Sequence, residues 1–204
     1  MLTPAEISRR LDAALPPPGQ EDCTAAWIHT TPRPAAVLIP FLQIDAAWHI
    51  LYTRRTDQVE HHKGQVAFPG GRSDPTDPSP QFTALREAEE EIGLRPADVT
   101  VLGRLAQLPT SSGYCVTPVV GVIPWPYTLQ LAEREVVRAF TIPLDWLADP
   151  AHRQTRTRLI PGSAVLYPVI YFQQYDGELL WGVSAEITVN LLKVLDTSNQ
   201  AKID

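Results

Sequence analysis

Four glutamates fall within five consecutive positions of the stretch Arg86-Glu87-Ala88-Glu89-Glu90-Glu91-Ile92-Gly93-Leu94, a few residues after a Phe68-Pro69-Gly70-Gly71 turn. The stretch predicts the end of a short helix. Ser79 can cap its N-terminus, Pro80 suits the first helical position, and Gly93 followed by Pro96 stops it. At about 100° per residue, Leu85, Ala88 and Ile92 share an apolar face, while Glu87, Glu90 and Glu91 gather on another and Glu89 points away as surface charge. Like charges at i,i+3 and i,i+4 each destabilise a helix by roughly 0.2–0.5 kcal/mol, and only Arg86 is near enough in sequence to offset them. A solvated charged face ordinarily interleaves lysine, yet none occurs between Lys63 and Lys193. So much like charge on one short helix calls for a cation.

Carboxylates converging on one helix face are the donors that Mg²⁺ or Mn²⁺ takes, with the remaining coordination positions left to water and substrate phosphates. Glu87 and Glu91, one helical turn apart, are the first choice of ligands. A glycine turn beside them lets backbone approach phosphate oxygens closely. These features predict metal-assisted hydrolysis of a phosphate anhydride.

The 204 residues, 44% of them hydrophobic, predict one domain with a substantial core. The first 34 residues read as a helix through Ile7, Leu11 and Leu15 followed by a proline-rich arm packed on the domain, residues 35–196 as the domain itself, and residues 197–204 as a polar tail. Strands are predicted at Ala35–Leu42 and Trp48–Arg54, paired as a hairpin, then near Val99–Leu108, Tyr114–Ile123, Val136–Thr141, Val165–Phe172 and Glu178–Trp181, with a last helix over Ser184–Leu195. No apolar run is long enough for a membrane span and the N-terminus lacks a signal peptide, so a cytoplasmic protein is expected. Cys23 and Cys115 read as free thiols in a reducing compartment. The net charge of −6 argues against nucleic acid or an anionic membrane as partner, and an anionic substrate would need local cations.

Gly71 through Leu94 resembles the Nudix box, whose Arg-Glu-apolar-x-Glu-Glu-x-Gly-apolar end is matched by Arg86 to Leu94. The family's loop glutamate is replaced by Asp74 or Asp77, and the loop is one residue longer. Further stretches resemble the coenzyme A pyrophosphatase subgroup: Leu51-Tyr52-Thr53-Arg54-Arg55, then His62-Lys63-Gly64-Gln65-Val66-Ala67-Phe68-Pro69-Gly70-Gly71, and Trp181-Gly182-Val183-Ser184-Ala185. Thr56 and Glu60 depart from that subgroup's pattern, which bears on specificity more than on chemistry.

The resemblance implies an α/β/α sandwich around a mixed β-sheet and a Mg²⁺- or Mn²⁺-dependent pyrophosphatase. Its substrate would be coenzyme A or a derivative, giving phosphopantetheine and adenosine 3′,5′-bisphosphate. It implies Arg86, Glu87, Glu90 and Glu91 as catalytic residues, Glu87, Glu90, Glu91 and the Gly70 carbonyl as metal ligands, and Arg55, His62, Gly70 and Gly71 as substrate-binding residues. Arg86 is read as an orienting group that holds the loop or Glu90. The general base stays open between Glu90 and Glu135 or another loop acid, and Trp181 reads as a core or interface anchor. On a strand only one of Arg54 and Arg55 can face the site. Two rivals remain: a Nudix hydrolase for a dinucleotide, ADP-ribose or sugar nucleotide, and a non-catalytic nucleotide-binding domain of the same fold. A homodimer is compatible with the sequence.

Overall fold

The computed structural model describes residues 2–17, 23, 31–56, 64–159 and 166–196. Helix α1 (Pro4–Ala14) precedes strands β1 (Arg33–Ile44), β2 (Ala47–Arg55), β3 (Val66–Ala67) and β4 (Gly70–Arg72), and helix α2 (Pro80–Ile92) follows. Next come β5 (Thr100–Arg104), β6 (Leu108–Pro109), β7 (Tyr114–Val122) and β8 (Val136–Pro143), then the short α3 (Leu144–Ala148). The chain closes with β9 (Arg153–Leu159), β10 (Leu166–Tyr175), β11 (Glu178–Trp181) and α4 (Gly182–Leu195).

The large sheet runs β3-β2-β1-β7-β5, with β4, β6 and β8 paired at its margins. It is mixed: β1 is antiparallel to β2 and β4 but parallel to β7. Side chains alternate along each strand, so the two faces of β1 and β2 bury different partners. Ile39, Phe41, Ile50 and Tyr52 face α1 and α4, meeting Ile7, Leu11, Ile187 and Leu191. Ala36, Leu38, Leu42 and Leu51 face Ala84, Ala88 and Ile92 of α2. A three-layer α/β/α sandwich results, with α2 alone on one side. The Tyr52 hydroxyl, 2.9 Å from the Thr188 hydroxyl, fixes β2 to α4 inside the core.

Helix α2 starts and stops on the predicted signals. The Ser79 hydroxyl accepts from the Phe82 amide at 3.2 Å, Pro80 occupies the first turn, and Gly93 adopts φ 68° as its amide reaches the Glu89 carbonyl.

Four expectations are corrected. The single strand near Val99–Leu108 divides into β5 and β6, because the β5–β7 register shifts between Val101 and Gly103, where Gly103 takes φ 150°. The first helix ends at Ala14, one residue before Leu15. Strand β9 escapes a hydrophobicity reading because Arg153-Gln154-Thr155-Arg156-Thr157-Arg158 contains no apolar residue; it is the exposed edge of a separate β11-β10-β9 sheet. Cys23 and Cys115 are joined in a disulfide, their Cα atoms 5.9 Å apart across a sequence separation of 92. Spacing along the chain could not reveal a pairing between residues 92 positions apart, and two free thiols no longer argue for a reducing compartment. No helix among the described residues is long and apolar enough to cross a membrane.

Candidate active site

The buried end of α2 meets the glycine turn. Glu91, 3% exposed, accepts the Gly70 amide at 3.1 Å and the Arg55 guanidinium at 3.2 Å. Glu87 lies one helical turn earlier, and its carboxylate occupies the space beside Gly71: a Cβ on that glycine would stand 2.5 Å from the Glu87 Cδ. Gly70 is equally constrained from behind. A Cβ there would meet the Ala36 carbonyl oxygen at 2.4 Å, and its φ of 153° disfavours any L side chain. The two glycines thus let β4 lie flat on β1 while its other face touches both carboxylates.

Arg86 ties the helix to the preceding loop. Its guanidinium donates to Asp77 at 3.0 Å, to the Arg72 carbonyl at 3.3 Å and to Glu90 at 3.2 Å, and lies 2.9 Å from a Glu87 oxygen. Of the two loop acids that the sequence leaves open, Asp77 is the one facing Arg86. It also accepts the Asp74 amide and the Thr83 hydroxyl, and the Arg86 hydrogen bonds hold its carboxyl down at about 2. Asp77→Asn should therefore free Arg86 and loosen Glu87 and Glu90 without touching substrate. The expected result is a loss in kcat on the order of tenfold or more with little change in KM, measured by steady-state kinetics at saturating metal.

Beside the glycine turn opens a cleft of about 410 Å³. Its lining combines Gly70, Gly71, Arg72 and Arg55 with Tyr167, Trp181, Gly182, Val183 and Ser184. Its floor is apolar, from Val37, Phe68, Val116 and Ile187, and Thr110, Ser111 and Ser112 supply hydroxyls at one side. The size and the mixture of apolar floor with a few polar groups suit a small-molecule ligand.

Residues 31–162 match the NUDIX domain family. The chain is 38% identical over 187 residues to proteins described as uncharacterized Nudix hydrolase NudL from Yersinia pestis (strain Pestoides F) and Yersinia pseudotuberculosis serotype O:1b (strain IP 31758), covering 92% of this chain and 92% of each relative. The chain belongs to the Nudix hydrolase family. The fold is shared with the crystal structure of a MutT/nudix family protein from Enterococcus faecalis, at TM-score 0.52 and 14% identity over 96% of this chain and 80% of that one. As a Nudix hydrolase the protein is a pyrophosphohydrolase of nucleoside diphosphate derivatives, in a family that uses divalent cations such as Mg²⁺ or Mn²⁺.

The electrostatics of the Nudix helix fit such a cation. Burial pushes the Glu91 carboxyl up to about 7 against the opposing pull of Arg55 and the Gly70 amide, and the neighbouring Glu135 and Glu87 charges push it further. Burial likewise raises Glu87, with Arg86 opposing and Glu90 and Glu135 adding to the rise. Two desolvated acids side by side with insufficient positive charge form a hard donor set for a divalent ion. Among the described residues no three acidic, histidine or cysteine side chains converge tightly enough to hold an ion in their present rotamers. Glu90 is the one turned aside, its exposed carboxylate resting on Arg86.

Alternation along β2 sends Arg55 to Glu91 and Arg54 to Glu178, at 3.7 Å. Glu135 sits at the edge of the cluster, 53% exposed and 4.0 Å from Arg55. Glu89 is exposed and makes none of these contacts. His62 lies outside the described residues. Sequence reasoning missed much of the lining: Tyr114, Tyr167 and Thr110 reach the Nudix cleft through tertiary packing, and Trp181, read as an anchor, lines it while stacked on Tyr171.

Proposed function

We propose that the protein hydrolyses the diphosphate bond of coenzyme A or its derivatives, giving phosphopantetheine or acyl-phosphopantetheine and adenosine 3′,5′-bisphosphate. One observation carries this reading. Two stretches that resemble the coenzyme A pyrophosphatase subgroup, Gln65 to Gly71 and Trp181 to Ser184, are far apart in the chain yet line one cleft. The apolar floor and hydroxyl-lined side suit an arm that alternates methylenes with amides, as pantetheine does.

In this reading Glu87, Glu91 and Glu90, with the Gly70 carbonyl, hold Mg²⁺ or Mn²⁺. The bound cation supplies charge neutralisation of the diphosphate and a lowered pKa for water. Arg86 positions Glu87 and Glu90 and does not contact the substrate. Arg55 rests on Glu91 at the cleft wall and donates to a phosphate oxygen, with His62, Gly70 and Gly71 completing the binding set. Glu90 or Glu135 accepts the proton of the attacking water, Glu135 being close enough to bias both Glu87 and Glu91. The complete Arg86–Glu87–Glu90–Glu91 set speaks against a ligand sensor, since binding alone needs no metal cluster.

A competition assay with coenzyme A, NADH, ADP-ribose and diadenosine polyphosphates tests the substrate. The highest kcat/KM is expected for coenzyme A. A preference for another member of the panel would overturn the substrate assignment and leave the reaction type, whereas no turnover of any with Mg²⁺ or Mn²⁺ would favour the sensor.

A further inference from the structure

Tyr167, which lines the cleft wall, pairs with Arg158 on the edge strand β9, where two arginines stand without acidic partners among the described residues. Arg156 and Arg158 share a sheet face with their cross-strand partners Val169 and Tyr167, and Tyr167 lines the cleft. The Arg158 guanidinium lies 4.9 Å from the ring centroid of Trp181 and 5.3 Å from that of Tyr171, and Arg156 lies 4.8 Å from Tyr171. The two rings are stacked 5.4 Å apart and 5° from parallel. Both arginines are exposed, and no carboxylate among the described residues lies within ion-pair distance of either. Their neighbours differ: Arg54 and Arg138 both pair with Glu178.

Positive potential is reinforced there from below. Helix α4 begins at the same wall, its N-cap Trp181 offers the first amides no side-chain acceptor, and Gly182, Val183 and Ser184 line the cleft. The Tyr171 hydroxyl beneath the arginines is buried without a hydrogen-bond partner. Ring faces hold the guanidinium groups in place while their N–H edges stay available, an arrangement suited to a phosphate dianion.

We propose that Arg156 and Arg158 form a subsite for a phosphomonoester on the nucleoside end of the substrate, and that this subsite selects coenzyme A over its 3′-dephosphorylated form. The geometry is independent of the substrate reading above; the identity of the phosphate rests on it. With the diphosphate at Gly70 and Gly71, the 3′-phosphate would lie toward Tyr167 and Trp181, which line the same cleft and carry Arg158 as cross-strand and ring partner.

The experiment compares wild type with R156Q/R158Q in two measurements. The first is kcat/KM for coenzyme A against 3′-dephospho-coenzyme A; the second is calorimetric binding of adenosine 3′,5′-bisphosphate against adenosine 5′-monophosphate. Wild type is expected to favour the phosphorylated member of each pair by about tenfold to a hundredfold, and the double variant to bring both ratios close to one. The single variants R156Q and R158Q, with melting temperatures, guard against a fold defect in the hairpin. Equal handling of each pair by wild type, or full discrimination in the double variant, overturns the subsite. A wild type that ignores coenzyme A but binds the bisphosphate selectively through these arginines refutes the substrate reading and keeps the subsite.

Discussion

Glu91→Gln is expected to lower turnover by on the order of a thousandfold while raising the melting temperature of the metal-free protein by a few degrees. The first effect follows if Glu91 is a ligand, because removing one anionic donor costs several kcal/mol of transition-state stabilisation. The second follows from its burial. Glu91 is 3% exposed and its carboxyl titrates at about 7 in the folded chain, against an ordinary value of 4.5. Between these two values the folded chain holds a proton that the unfolded chain has released, so stability falls as pH rises from about 4.5 to 7 and stays lowered above. The penalty is on the order of 3 kcal/mol, by the usual conversion of about 1.4 kcal/mol per pKa unit. Glutamine keeps the acceptor for the Gly70 amide and carries no charge. Thermal melts in chelator at pH 8 and pH 4.5 check this: the variant should exceed wild type at pH 8, with the gap closing at pH 4.5. Equal melting curves at both values would mean that Glu91 is not stranded as an uncompensated charge.

Replacing the two glycines by alanine should separate catalysis from folding. At Gly71 the three atoms nearest an added Cβ all belong to the Glu87 carboxylate, its Cδ at 2.5 Å, and that carboxylate can swing away. Gly71→Ala is thus expected to fold normally and to lose activity on the order of a hundredfold, since Glu87 leaves the cluster. At Gly70 the obstacle is backbone. A Cβ would stand 2.4 Å from the Ala36 carbonyl and 2.5 Å from the Val37 Cα, in a conformation with φ 153°. Gly70→Ala should force β4 from β1 and destabilise the fold by on the order of 3 kcal/mol or more. Denaturant unfolding beside kinetics distinguishes the two; a stable, active Gly71→Ala would show that Glu87 has no need of its place against the turn.

What could be read from the sequence was what short-range physics writes there. Helix α2 carries its own punctuation in Ser79, Pro80 and Gly93, and its wheel separates Ala88 and Ile92 from the glutamates. The β1–β2 hairpin announces itself by two apolar runs around a short break, and the alternation of side chains along β2 decides that Arg54 and Arg55 point to different acids. Long-range choices left no such trace. Asp74 and Asp77 are equivalent on paper, and only the path of the loop makes Asp77 the partner of Arg86. Cys23 meets Cys115 across a sequence separation of 92, and the polar β9 becomes a strand because β10 offers it an edge. Trp181 looks like any core tryptophan until α4 and β11 turn it toward the cleft. The place of Glu87 and Glu91 beside the glycine turn was legible, and the part Trp181 plays in the cleft lining was not.

Binding of Mn²⁺, followed by electron paramagnetic resonance on wild type and on Glu87→Gln/Glu91→Gln, tests most directly whether the acidic helix holds a divalent cation. Saturable binding by wild type, weakened by at least about tenfold in the double variant, is the expected outcome. Equal binding by both proteins, or none by wild type at millimolar Mn²⁺ with a diphosphate substrate analogue present, would contradict the assignment of these carboxylates.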